Sequence, residues 1–259
     1  MLSVSHLTKR YKKTEAVKDA CFELTDGTVT VLLGPNGAGK STLMKSIIGV
    51  LRCEGEILID GLPNKSTGAR RILGYIPEIP ALYPNLTVSE HMEFLARAYR
   101  LDHYKEEAQA LLERYELDDK KKKFGDELSK GMQQKLNICL GLLTRPRVLL
   151  LDEPMIGLDP HAIKELKKNM QELRQKGCTL LVSTHIIDSV DMLWDRALVM
   201  QTGTIRADRT RQELESSGKS LEELFFEVTE GLRPEDHLQE RGGAGQGSFS
   251  DDAGKGADS

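Results

Sequence analysis

The stretch "VTVLLGPNGAGKST", residues 29–42, decides the fold. Its first five residues are almost wholly apolar and lead into Gly34. A strand covered on both faces has this composition, whereas a half-exposed strand alternates. The remainder matches the phosphate-loop pattern G-x-x-x-x-G-K-[ST]. Its glycines let the backbone curl so that several N–H groups point inward at phosphate oxygens. The helix expected to follow adds its own donors and a partial positive charge. Candidate nucleotide contacts are therefore Gly34, Asn36, Gly37, Ala38, Gly39, Lys40, Ser41 and Thr42. Lys40 is placed to reach the β- and γ-phosphates, and the Ser41 hydroxyl to ligate Mg²⁺.

Working outward, "RVLLLDEP" (147–154) and "CTLLVSTH" (178–185) have the same strand character, and helical patterns follow each. The layout is α/β: a parallel sheet with helices on its faces. The strand ending in Asp152 carries that carboxylate to the edge where such sheets place ligands, so Asp152 is a second metal candidate. Glu153, one residue on, is a candidate general base for an attacking water. Without a phosphate loop the two would read as a surface acidic pair ending a strand. Residues 1 to about 60 also contain shorter alternating stretches ("CFEL", "GEILIDG"), expected to form an antiparallel sheet beside the core. Residues from about 86 to 145 read as an inserted helical subdomain. It opens on the capping box "TVSE" at Thr87–Glu90 and continues with apolar residues at helical spacing.

The 259 residues carry a formal net charge of −4, 39% hydrophobic and 29% charged residues. No overall basic field recruits nucleic acid, and none is expected as a partner. The apolar runs fall far short of the ~20 residues a membrane span needs. The first residues, "MLSVSHLTKRYKK", lack the apolar region of a secretory signal. Cys21, Cys53, Cys139 and Cys178 form no C-x-x-C pair, which suits buried thiols in a reducing cytosol. "KKKK" (120–123) reads as a solvated loop, and the Gly/Ser/Asp-rich residues 231–259 as a disordered tail.

One segment does not fit a regular element. "GYIPEIPALYP" (74–84) holds Glu78 between two prolines, on a stiff extended connection. By itself it is an acid on an exposed loop.

Taken together these motifs resemble the ATP-binding subunits of ABC transporters, over about residues 2–205. "LSKGMQQK" (128–135) resembles the family's signature, with Lys130 and Met132 departing from its commonest form and Ser129 and Gly131 retained. "GLDP" (157–160) resembles the D-loop, which assigns Asp159. "STH" (183–185) resembles the switch-histidine segment, which assigns His185. Tyr11 falls where the family stacks an aromatic ring on adenine, with Val17 beside it. Glu78 stands where the family usually has a glutamine that contacts Mg²⁺ and the attacking water. Each has a plainer reading alone: His185 as a core histidine, Tyr11 as packing, Ser129 as a helix cap.

The resemblance implies a P-loop NTPase (RecA-like) fold over residues 1–230, with ATP and Mg²⁺ as cofactors. It implies Glu153, His185 and Glu78 as the hydrolytic residues and Ser41, Asp152 and Glu78 as the metal set. It also implies a second ATPase subunit whose Ser129 meets the first chain's γ-phosphate, and integral membrane permease subunits docked near residues 79–86. The expected location is the cytoplasmic face of a membrane. The short ending, with "SLEELFFEVTE" (220–230) as the last element, resembles export systems. The rival is a soluble ABC ATPase acting on ribosomes or DNA; such proteins usually carry a second nucleotide domain or a long coiled coil, and this sequence has neither.

Overall fold

The computed structural model describes residues 1–190 and 193–231. The expected tail lies outside the described residues, except for Gly231. Two sheets organise the chain. Strands β1 (Leu2–Tyr11), β2 (Thr14–Leu24), β4 (Glu54–Ile59) and β5 (Leu62–Pro63) form an antiparallel sheet in the order β2-β1-β4-β5. Strand β3 (Val29–Leu33) leaves it for a six-stranded sheet with β6 (Leu73–Ile76), β7 (Val148–Asp152), β8 (Thr179–Thr184), β9 (Arg196–Gln201) and β10 (Thr204–Thr210). That sheet has the order β10-β9-β3-β8-β7-β6 and is parallel except for β10.

The uniformly apolar strands now have a cause. Val29, Val31 and Leu33 of β3, with Leu149 and Leu151 of β7 and Leu180 and Val182 of β8, join one buried cluster. Leu32, Val148, Leu150 and Leu181 point the other way into a second cluster with β1, β2 and β4. Both faces are covered, so every residue of β3, β7 and β8 is buried. Each large aliphatic side chain so placed contributes about 1.5–3 kcal/mol.

Helix α1 (Lys40–Ile47) follows β3 and buries Leu43, Met44 and Ile47 in the second cluster. Helix α2 (Thr67–Ile72) leads into β6. Between β6 and β7 run α3 (Val88–Tyr99), α4 (Tyr104–Arg114) and α5 (Lys130–Leu143). The capping box at Thr87 is formed, with Thr87 Oγ1 accepting from the Glu90 N–H at 3.2 Å and Glu90 accepting from the Thr87 N–H at 2.7 Å. Helix α5 packs on α3 and α4 and also on β6. Gly141 permits the last contact, since a Cβ there would come within 2.4 Å of the Ile76 side chain. Helix α6 (Pro160–Gln175) links β7 to β8, and α7 (Arg211–Ser216) and α8 (Leu221–Glu230) close the described chain.

The cysteines divide. Cys139 and Cys178 are buried, and burial pushes the Cys178 thiol up to about 12. Cys53 is half-buried and Cys21 is exposed, which corrects the expectation of four buried thiols. Cys21 lies between buried Ala20 and Phe22 on β2, so strand alternation turns it outward.

Candidate functional site

The parallel sheet brings the separate motifs together. Adjacent strands β3, β8, β7 and β6 all end at one edge. They deliver in turn the phosphate loop, His185, the Asp152–Glu153 pair and the connection bearing Glu78. An open cleft of about 390 Å³ at this edge is lined by residues 36–42, Glu78, Glu153 and His185, together with Ala16 and Ile156.

Two glycines are demanded by space. A Cβ on Gly34 would lie 2.3 Å from the Met200 carbonyl oxygen. Gly39 has φ +110°, and its Cβ would meet the Ala16 oxygen at 2.3 Å. Gly39 is also the N-cap of α1, with no side-chain cap and no acidic residue in the first turn. The helix therefore presents its N–H groups and partial positive charge to the cleft, as an anion site requires.

Lys40 is almost fully buried, with Nζ donating to the Gly34 carbonyl at 2.7 Å and 3.4 Å from Glu153 Oε1. Glu153 Oε1 lies 2.9 Å from His185 Nδ1. Glu153 itself adopts φ +46°, a left-handed conformation that few non-glycine residues hold. Its N–H donates to the Ser183 carbonyl at 3.1 Å, which ties this turn to β8. The result is a buried carboxylate between a fixed cation and an imidazole, able to accept a proton from water while His185 stays at the rim.

Asp152 is buried beneath this row. Its Oδ1 accepts from Ser41 Oγ at 3.1 Å and Ser183 Oγ at 2.5 Å, and its Oδ2 from the Tyr75 hydroxyl at 3.3 Å. Burial, then the charges of Asp152 and Glu78, push the Tyr75 phenol well above its usual range, so it remains a donor. Ser41, Asp152 and Glu78 supply only oxygen ligands near the loop, a donor set that fits a hard divalent cation such as Mg²⁺. The motifs did not single out Tyr75 or the Ser183 hydroxyl. Tyr75 lies on β6, next to β7, and no local pattern signals a contact across 77 residues of sequence.

Glu78 is exposed and lines the cleft. Its connection is anchored from below: Asn137 Nδ2 donates to the Pro77 carbonyl at 2.9 Å and to Gln134 Oε1 at 3.3 Å. Gln134 in turn donates to the Pro154 carbonyl at 3.3 Å. Thus α5 ties the Glu78 connection to the turn after Glu153.

Other expected residues lie elsewhere. Val17 is fully buried in the second core cluster, and its neighbour Ala16 lines the cleft instead. Tyr11 is 46% exposed at the end of β1, with Lys9 Nζ 4.9 Å from its ring centroid, and does not line the cleft. Ser129 and Gly131 are also absent from it. Ser129 caps α5 by accepting from the Met132 N–H, and Gly131 abuts the Gly157 carbonyl. Asp159 caps α6 with Pro160 in the first turn, and Lys135 Nζ lies 2.7 Å from its carboxylate. That ammonium first, then the Ala162 N–H, hold the Asp159 carboxyl below the usual range.

Residues 17–156, more than half of the chain, match the family model described as ABC transporter. The chain belongs to the ABC transporter family. Within it, the cassette is an ATP-binding ATPase subunit. It is 36% identical over 238 residues to the ABC-type transporter ATP-binding protein EcsA of Bacillus subtilis, covering 88% of this chain and 96% of that protein. It is 34% identical to the lantibiotic transport ATP-binding protein SrtF of Streptococcus pyogenes, covering 87% and 96%. Among solved structures, an ATP-binding subunit of an ABC transporter superposes with a TM-score of 0.83 at 35% identity, covering 88% of this chain and 99% of that one. A dimeric ATP-binding cassette in a post-hydrolysis state, bound to ADP and phosphate, superposes at 0.74 with 27% identity, covering 81% and 98%. Among the described residues of the ATPase, no helix is long and apolar enough to cross a membrane.

Proposed function

We propose that the cassette binds Mg²⁺–ATP in the cleft, hydrolyses it as a two-fold dimer, and drives export through separate membrane permease subunits at the cytoplasmic face. The observation that carries this reading is the Lys40–Glu153–His185 row above the Ser41–Asp152 pair, all at one sheet edge. Lys40 and the N-terminus of α1 hold the phosphates, Glu153 takes a proton from the attacking water, and His185 contacts the γ-phosphate from the rim. Mg²⁺ held by Ser41, Asp152 and Glu78 would neutralise phosphate charge. Tyr11 stacks on adenine from outside the cleft wall. Ser129, lying away from its own cleft, serves the γ-phosphate of a second cassette, with Asp159 at the shared interface. The dimeric cassette with ADP and phosphate supports that arrangement. Export is supported by relatives named for it: the SkfA peptide export ATP-binding protein SkfE of Bacillus subtilis is 30% identical over 228 residues, covering 87% of this chain and 95% of that protein.

Two predictions arise from this reading. If Glu78 ligates the metal, apparent Mg²⁺ affinity falls in the order Glu78→Gln, Glu78→Ala, Glu78→Lys. The first keeps an oxygen at the same reach, the second keeps none, and the third opposes the cation. The last should lose about 10–100-fold, the scale seen when a metal site loses a supporting group. ATPase rate against Mg²⁺ concentration measures this, and three curves superimposed on wild type would reduce Glu78 to a solvated loop residue.

The second concerns docking. Ile79, Tyr83 and Phe94 are 78%, 54% and 50% exposed, and the Tyr83 and Phe94 rings meet edge-to-face at 5.4 Å. Leu82, between them in sequence, packs against the core instead. An apolar patch of this kind suits a protein partner better than nucleic acid. The double variant Tyr83→Asp with Phe94→Asp should keep basal hydrolysis but release the protein from membranes, at a cost of about 2 kcal/mol or more in docking. Full retention in the membrane fraction would move the docking surface elsewhere.

A further inference from the structure

We propose that the outer face of the antiparallel sheet carries a binding site for one thiophilic divalent cation, of the zinc class, formed by Cys21, His6 and Asp19. One ligand atom from each of the three lies within 4.8 Å of the other two. The site is built by an irregularity between β1 and β2. The register shifts between Val4 and Leu7, and both His6 and Asp19 take left-handed conformations, with φ +53° and +46°. This bulge turns His6 and Asp19 toward outward-facing Cys21. The backbone around it is tied down. The Asp19 N–H donates to Thr8 Oγ1 at 3.0 Å, and the His6 N–H to Cys21 Sγ at 3.1 Å. On the neighbouring β4, only glycine fits at position 55, where a Cβ would meet the His6 carbonyl oxygen at 2.4 Å.

The distances match the metal. Zinc binds thiolate sulfur at about 2.3 Å and imidazole nitrogen at about 2.0 Å, so tetrahedral geometry separates S from N by about 3.5 Å. Cys21 Sγ and His6 Nδ1 stand 3.7 Å apart. His6 Nδ1 and Asp19 Oδ1 are 2.8 Å apart, closer than the roughly 3.3 Å between nitrogen and oxygen ligands of one zinc. Binding therefore exchanges that hydrogen bond for two metal bonds, and exposed Asp19 swings outward by about 0.5 Å. The N–H of His6 already points at sulfur, the donation a metal-bound thiolate accepts. Soft sulfur with imidazole selects zinc or cobalt over Mg²⁺, which keeps this site chemically apart from the oxygen-lined cleft. Water completes the fourth position. A second exposed cluster, Glu116, Asp159 and His161, has no thiol, and its carboxylates already face Lys135.

The test uses the full chain, stripped with chelator, reduced and titrated with Co²⁺. One equivalent per chain should develop a near-ultraviolet thiolate-to-cobalt charge-transfer band, which Zn²⁺ then displaces. Cys21→Ser should lose the band while circular dichroism and ATP turnover stay at wild-type values. His6→Asn, which tolerates the left-handed backbone, should weaken apparent Co²⁺ affinity by about tenfold or more. Cys53→Ser should change nothing. No charge-transfer band at one equivalent of Co²⁺, or a band that survives in Cys21→Ser, overturns the proposal.

Discussion

Lys40→Ala is expected to abolish measurable ATP turnover, with a loss of at least about 10²–10³-fold, the scale of removing one preorganised charge donor from a developing anion. Among the described residues, Lys40 is the only lysine or arginine lining the cleft. It is held rigidly, with the Gly34 carbonyl at 2.7 Å and little exposure to solvent. A buried point charge beside phosphate oxygens is poorly screened, so its loss is not recovered from bulk salt. The α1 N-terminus remains in the variant and leaves a residual phosphate affinity. Nucleotide binding by fluorescence titration and phosphate release in steady state check the two parts, and thermal unfolding separates them from misfolding. Wild-type phosphate release from a folded Lys40→Ala protein would remove the phosphate-loop assignment.

Glu153→Gln should retain ATP binding and lose about 10²–10⁴-fold in hydrolysis, the contribution of a positioned general base. The amide has the shape of the carboxylate and keeps an oxygen for the His185 and Lys40 contacts at 2.9 and 3.4 Å, but it cannot accept the proton. The left-handed turn at Glu153 is retained, because glutamine meets the same backbone cost as glutamate. Bound ATP should then persist and hold two cassettes together. Size-exclusion chromatography with light scattering should show an ATP-dependent dimer in the variant and far less in wild type. A variant that binds ATP yet stays monomeric at high protein concentration would contradict the role of Ser129 across a dimer interface.

The features legible from sequence are those made by residues near one another in the chain. A capping side chain and its N–H lie three residues apart, so Thr87 and Ser129 are readable as helix starts, and each caps its helix. The phosphate loop is nine consecutive residues between a strand and a helix, and its backbone geometry follows from the glycines within it. Burial on both sheet faces leaves a composition signal, so β3, β7 and β8 are visible as mostly apolar runs without polar alternation.

Strand order left no such trace. Only the folded sheet, by setting β8 between β3 and β7, puts His185 against Glu153 and the Ser183 hydroxyl against Asp152. Placing β6 beside β7 brings Tyr75 onto Asp152 and Glu78 into the cleft. Alternation on β2 decides that Val17 is core while Ala16 borders the cleft, and that Cys21 faces solvent beside His6. Those outcomes depend on which strand neighbours which and on where a bulge shifts the register. Both are settled by long-range packing: a one-residue slip turns every following side chain to the opposite face, at the cost of its burial.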